Sequence, residues 1–142
     1  QAAEILRQLG DKNLLAPPLR GMASLELAGS HPEAAAKLFA ESLSLNIEVG
    51  DVRGVIASLA GLASVCLARG EFVRATMLCA VVASQQESRH TTLLWIDRNQ
   101  HVLTLNDLRT RLAPADFDAA WAAGQQLTLD KAIALALENP HV

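Results

Sequence analysis

Residues 19–28 read LRGMASLELA, and residues 59–68 read LAGLASVCLA. At an offset of 40 residues Leu19 falls on Leu59, Gly21 on Gly61, Ala23 on Ala63, Ser24 on Ser64, Leu27 on Leu67 and Ala28 on Ala68. The match runs on downstream, with Ala35 on Ala75, Leu38 on Leu78 and Ala40 on Ala80. Upstream it sets Gly10-Asp11 on Gly50-Asp51. One amphipathic helix can match another by chance. A match that crosses a turn and continues into a second helix marks a repeated supersecondary unit.

Each unit reads as a helix pair. In the second copy a first helix spans about Val52 to Ala68, Gly70 permits a left-handed turn, and a second helix spans about Glu71 to Ser88. In the first copy Ser30-His31-Pro32-Glu33 reads as a capping box, with Ser30 as cap, Glu33 reaching back and Pro32 in the first turn. Its second helix spans about Pro32 to Ile47. Gly50 ends that helix and Asp51 caps the next. Pro17-Pro18 would cost about 3 kcal/mol or more inside a helix, so the first helix of this copy is expected to begin at Pro17, after a loop over 10–16. Ala2 to Leu9 reads as the second helix of an earlier copy whose partner is missing, which suggests a fragment of a longer chain. Its Ala3, Ile5, Leu6 and Leu9 would leave an apolar edge, and self-association through that N-terminal end, as a homodimer, is expected. The predicted units are thus 1–9, 17–47, 52–88 and a C-terminal set over 92–138.

Composition agrees with helices. Half of the 142 residues are hydrophobic, much of that Ala and Leu, while aromatics are few and Tyr is absent; these residues favour close-packed helices over pleated sheets. The formal charge of −3 is too mild for a nucleic-acid footprint. The longest apolar run, Val55 to Ala68, falls short of the roughly 20 residues of a membrane span. Cys66 and Cys79 lack CxxC spacing and read as small buried residues of a reducing cytosol, so a cytoplasmic protein is expected.

The spacing large, small four on, small twelve beyond, apolar four later is met by Leu19, Ala23, Ala35 and Phe39, and by Leu59, Ala63, Ala75 and Cys79. It resembles the tetratricopeptide repeat, although 40 residues exceeds the usual period of about 34, and the usual Trp, Tyr and closing Pro are absent. Further on, FDAAWAAGQQLTLDKAIALAL (117–137) is similar to a segment of LuxR-type, MalT-like bacterial regulators and related cyclase-linked signalling proteins, through Phe117, Ala120, Trp121, Gly124, Leu127, Thr128, Ala132 and the closing AxAL. In them it closes a helical-repeat region that follows an ATPase module. The resemblance implies an all-α fold, a right-handed superhelix of antiparallel helix pairs with extra C-terminal helices. It also implies that the ATPase and the output domain lie outside this chain.

The same segment has a plain physical reading. Pro114 opens a short helix with Asp116 in its first turn, Phe117 and Trp121 share a face, and Gly124 ends it. Thr128 caps a last helix with an apolar stripe of Leu129, Ala132, Ile133, Ala136 and Leu137. One long helix is expected over Thr92 to Leu112, with Trp95, Val102, Leu105 and Leu112 near one side.

Chemistry-bearing patterns are missing. No P-loop, nucleophile-elbow or dinucleotide-binding glycine motif occurs, and His31, His90, His101 and His141 show no zinc-ligand spacing and read as surface or cap residues. No enzyme, metal or cofactor is expected. Arg53, Arg69, Arg74 and Arg89 flank the second copy but are interleaved with Asp51, Glu71 and Glu87, as in a solvated rim. Repeat stacks bind along the concave face of their first helices. By resemblance the groove positions are Arg20, Ser24 and Leu27 in one copy and Ala60, Ser64 and Leu67 in the other, unless the helix from Thr92 fills the groove. The expected function is a regulatory module of a larger bacterial signalling protein. A protein or small-molecule inducer would sit on that face, other domains of the same chain would receive the signal, and this domain would touch neither nucleic acid nor membrane. The alternatives are a protein–protein scaffold and the repeat region of an ATPase-linked nucleotide cyclase.

The small residues give the first test. Ala63→Leu overpacks the hairpin and should lower stability by about 1–3 kcal/mol; a thermal melt unchanged from wild type would discard this register.

Overall fold

The computed structural model describes residues 12–138. Among them are seven helices and no strand: α1 (Lys12–Ala28), α2 (Pro32–Val49), α3 (Val52–Ala68), α4 (Phe72–Ser88), α5 (Trp95–Arg111), α6 (Pro114–Gln125) and α7 (Leu129–Leu137). The fold is all-α. The apolar edge at Ala3, Ile5, Leu6 and Leu9, the helix expected there, and His141 lie outside the described residues.

The first four helices begin 20 residues apart, and so do the residues that end them. Ser30, Gly50, Gly70 and His90 all have left-handed backbone, with φ of 66°, 73°, 81° and 51°. At each the next N–H reaches back over the last helical turn: His31 to Glu26 O (2.8 Å), Asp51 to Asn46 O (2.8 Å), Glu71 to Cys66 O (2.9 Å) and Thr91 to Gln86 O (3.0 Å). This is the Schellman closure, which satisfies carbonyls that the helix itself leaves unpaired.

That closure corrects the expected capping box. Ser30 is needed in left-handed backbone to end α1, so it cannot also cap α2. His31 takes the cap position without a side-chain bond. Glu33 meets Arg69, which donates to both of its oxygens at 2.8 and 2.7 Å in a bidentate charge-assisted pair. Asp51 does cap α3, accepting from Gly54 N at 3.0 Å.

A second correction concerns the prolines. α1 runs from Lys12 straight through Pro17 and Pro18. The prolines remove only the bonds to the carbonyls of residues 13 and 14, in the first two turns, and tertiary packing offsets the loss. Ala16 and Leu19 are buried, Leu19 packs against Leu38 and Leu45 of α2, and Ser42 donates to Ala16 O at 3.3 Å.

The core lies between successive helices, where small residues let backbones close. Ala23, Ala35, Ala63 and Ala75 are fully buried. Across the α2–α3 hairpin the paired residues are equidistant from Gly50: Asn46 with Gly54, Ser42 with Ser58 (3.1 Å between hydroxyls) and Phe39 with Gly61. Asn46 also donates to Ser58 Oγ at 3.2 Å, so the polar groups buried there answer one another.

The C-terminal helices fold back on this stack. α6 packs on α4, with Phe117 buried and stacked on Trp121 at 5.8 Å, and Arg109 of α5 lies 4.4 Å over the Phe117 ring. Gly124 does not end α6, which continues to Gln125; it is buried where a Cβ would run into the Met77 carbonyl of α4. Thr128 caps α7, accepting from Lys131 N at 3.2 Å. Ala132 and Ala136 of the expected stripe are buried while Leu137 is exposed. Arg74 closes the other end of α7, with Nε donating to Leu135 O at 3.0 Å and Nη2 to Glu138 O, a cation placed where the helix dipole favours it.

Three glycines predict opposite outcomes. A methyl group added at Gly21 would meet open space, whereas one at Gly61 or Gly124 would collide with the neighbouring helix. Gly21→Ala should gain up to about 1 kcal/mol from helix propensity, while Gly61→Ala and Gly124→Ala should each lose about 1–3 kcal/mol from overpacking. Urea midpoints of the three variants check this.

Candidate functional site

α5 decides what the first-helix face can do. Its expected inner stripe packs in part: Leu105 and Leu112 lie half-buried against the core, while Val102 is 47% exposed. The fully buried positions are His101, Thr104 and Leu108, so the inner face is partly polar and is centred beside the expected stripe. The helix begins at Trp95 rather than Thr92, and Thr92 O instead accepts from Arg53 Nε at 3.0 Å. His101 is therefore not a surface residue. Burial lowers its pKa, and its Nδ1 has no hydrogen-bond partner.

The polar stripe seats α5 on α3. Ser64 and Thr104 hydroxyls lie 2.7 Å apart, Thr104 donates to Gln100 O at 2.8 Å, and Gln100 Nε2 donates to Ser64 at 3.4 Å. The six groove positions divide accordingly. Ala60 and Ser64 are buried under α5. Leu27 and Leu67 are half-buried and line a shallow cleft at one end of it with Phe72, Asp107 and Arg111. Arg20 and Ser24 line the opening at the other end, between α1 and the start of α5.

That opening is a cleft with largely apolar walls. It encloses about 460 Å³ between Pro17, Gly21, Leu25, Leu94 and Asp97. A smaller lobe of about 160 Å³ lies beneath, reaching Ala57 and Leu93. Its walls are apolar, with Leu25 74% and Leu94 57% exposed. At the junction of the lobes stand Arg20, only 9% exposed, and Asp97, with Nε and Oδ1 3.9 Å apart. Burial pushes the Asp97 carboxyl up, and the Arg20 guanidinium partly opposes this. Arg20 Nε is enclosed and has no hydrogen-bond partner. Neither composition nor spacing signals this pair, because it joins residues on α1 and α5 that only the turn of α5 brings together.

No protein-family model, curated protein or solved structure matches the chain.

The other chemistry-bearing groups serve the fold. The flanking arginines are tied down: Arg53 to Thr92 O, Arg69 to Glu33, Arg74 to the end of α7, and Arg89 to Gln85 at 2.8 Å. Burial pushes the Cys66 thiol up to about 11 and the Cys79 thiol to about 12, so both stay protonated and unreactive at neutral pH. Among the described residues no three His, Cys, Asp or Glu side chains gather as a metal site, and no helix is long and apolar enough to cross a membrane.

His101 and Asp97 give a pH test. With its pKa lowered by burial, His101 binds its proton in the unfolded chain first. Its contribution is complete above about pH 6.5 and is lost as pH falls from there toward the folded-state value. Asp97 acts with the opposite sign and at lower pH, since the folded chain takes up its proton first. Urea titrations from about pH 7.5 to about pH 5.5 should show wild type losing stability on acidification, and the slope should flatten in His101→Asn.

Proposed function

We propose that this chain is a non-catalytic regulatory module of a larger bacterial signalling protein, of the LuxR type, which senses an inducer or protein partner on the face of its first helices. In this reading the helix pairs form a right-handed superhelix of tetratricopeptide-like repeats, and α5 to α7 close it. The observation that carries the reading is the half-filled groove. α5 lies over Ala60 and Ser64, while the cleft at Arg20, Ser24 and Leu25 stays open beside it. A ligand entering there touches both α1 and the start of α5, so binding is coupled to the seating of a helix on the stack. The resemblance of 117–137 to MalT-like regulators supports the signalling assignment. The tied-down arginines and unreactive thiols are those of a binding module rather than a catalyst.

The test is to sequence the gene on both sides of this segment. The expected result is a P-loop ATPase upstream and a DNA-binding helix-turn-helix downstream. A cyclase domain upstream would remove transcription as the output, and flanks holding only further helix pairs would overturn the regulator in favour of a scaffold.

A further inference from the structure

The cleft between α1 and α5 holds two opposite charges, Arg20 nearly buried and Asp97 half-buried, that are poorly satisfied by each other. Arg20 is nine-tenths enclosed, its Nε lacks any hydrogen-bond partner, and the 3.9 Å to Asp97 exceeds hydrogen-bond length. Removing two ions from water is offset only when geometry is good and the remaining donors and acceptors are met. Here neither condition holds. The neighbouring charges at the floor are already engaged: Asp51 accepts from Gly54 N, and Arg53 donates to Thr92 O. Arg20 and Asp97 are therefore the pair with bonding capacity to spare, and they stand where the two lobes of the cleft meet.

We infer that this cleft is a binding site for a free α-amino acid with an apolar side chain. Such a molecule carries an ammonium and a carboxylate on one carbon, and so presents both complementary charges at once. Arg20 takes the carboxylate, through its planar fork of donors, and Asp97 takes the ammonium. The side chain lies in the outer lobe against Leu25 and Leu94, whose exposure would otherwise place two large apolar surfaces side by side in water. The opposed charges choose among ligands. A simple anion would meet Asp97, a simple cation would meet Arg20, and a peptide terminus brings only one of the two charges. The site rests on the sensing role proposed above and gives it a ligand class.

Isothermal titration calorimetry on the folded chain tests this with L-leucine and L-phenylalanine against glycine, N-acetyl-L-leucine and L-leucinamide. Leucine or phenylalanine should bind. Glycine should bind weakly, and blocking either the ammonium or the carboxylate should weaken binding by about thirtyfold or more. Arg20→Gln should erase the difference between leucine and leucinamide, and Asp97→Asn the difference between leucine and N-acetyl-leucine. Should either variant fail to fold, the ligand series on wild type decides alone. No heat with either apolar amino acid at about 10 mM, weaker than any affinity expected of a built site, would overturn the inference. Equal binding of leucine and both blocked forms would do the same. If the apolar amino acids fail while the gene flanks hold the expected ATPase and helix-turn-helix, only the ligand class falls. If leucine binds and the flanks hold only helix pairs, the site stands and the regulator falls.

Discussion

The hydrogen bonds from His31, Asp51, Glu71 and Thr91 back over the preceding helix ends are the constraint on which the rest depends. Each forces one residue into left-handed backbone and stops a helix after nearly five turns. Because the stops come at equal intervals, helices that begin 40 residues apart run the same way, start at the same height and turn the same positions inward. That common phase brings Ala23, Ala35, Ala63 and Ala75 inward together, and it sets the α2–α3 contacts symmetrically about Gly50. Gly50 and Gly70 adopt the turn without penalty. Ser30 and His90 adopt it at a cost that the returned hydrogen bonds and the packing behind them offset.

On this base α5 is held differently from the helices before it. Close-packed small residues set the hairpins, one of which also buries the bonded Ser42, Asn46 and Ser58, whereas α5 meets α3 through the hydroxyl and amide groups of Ser64, Thr104 and Gln100. Ser64, Thr104 and Gln100 satisfy one another, and His101 is buried with one nitrogen left over. A polar contact of this kind is directional, and it is worth less when water can replace it than an equal area of close-packed Ala and Leu. The cleft at Arg20 and Asp97 sits beside the first turn of this helix, where the α4–α5 linker is pinned by Arg53. The cleft therefore adjoins the helix that polar contacts seat on the stack.

How much of this can be read from the residues alone divides along the same line. Local signals are legible. Left-handed Gly50 and Gly70, the caps at Asp51 and Thr128, Pro114 at a helix start and the small-residue pairs all act within a few residues of themselves or within one hairpin. Non-local preferences are not. Glu33 is paired with Arg69, 36 residues away. α1 passes through two prolines because α2 supplies the burial. Gly124 is needed for its approach to α4 rather than for a turn. The phase of α5 is legible only in part, because apolar periodicity finds Leu105 and Leu112 but also points to exposed Val102, while the contact that seats the helix on α3 is polar. The candidate site suffers most from this. Arg20 and Ser24 can be placed on the groove by their position in the repeat, but Asp97 and Leu94 cannot, since their place depends on that phase.

The equal spacing of the turns also bears on how such a chain can change over generations. A residue inserted within a helix rotates everything after it by about 100°, which would carry an alanine face out of its seam and a charged face into it. A gain or loss of 20 residues moves the chain from one turn to the same point of the next, and one of 40 restores the direction as well. Length in this architecture is thus quantised. Lineages descended from such a sequence are expected to differ by whole helices or whole pairs.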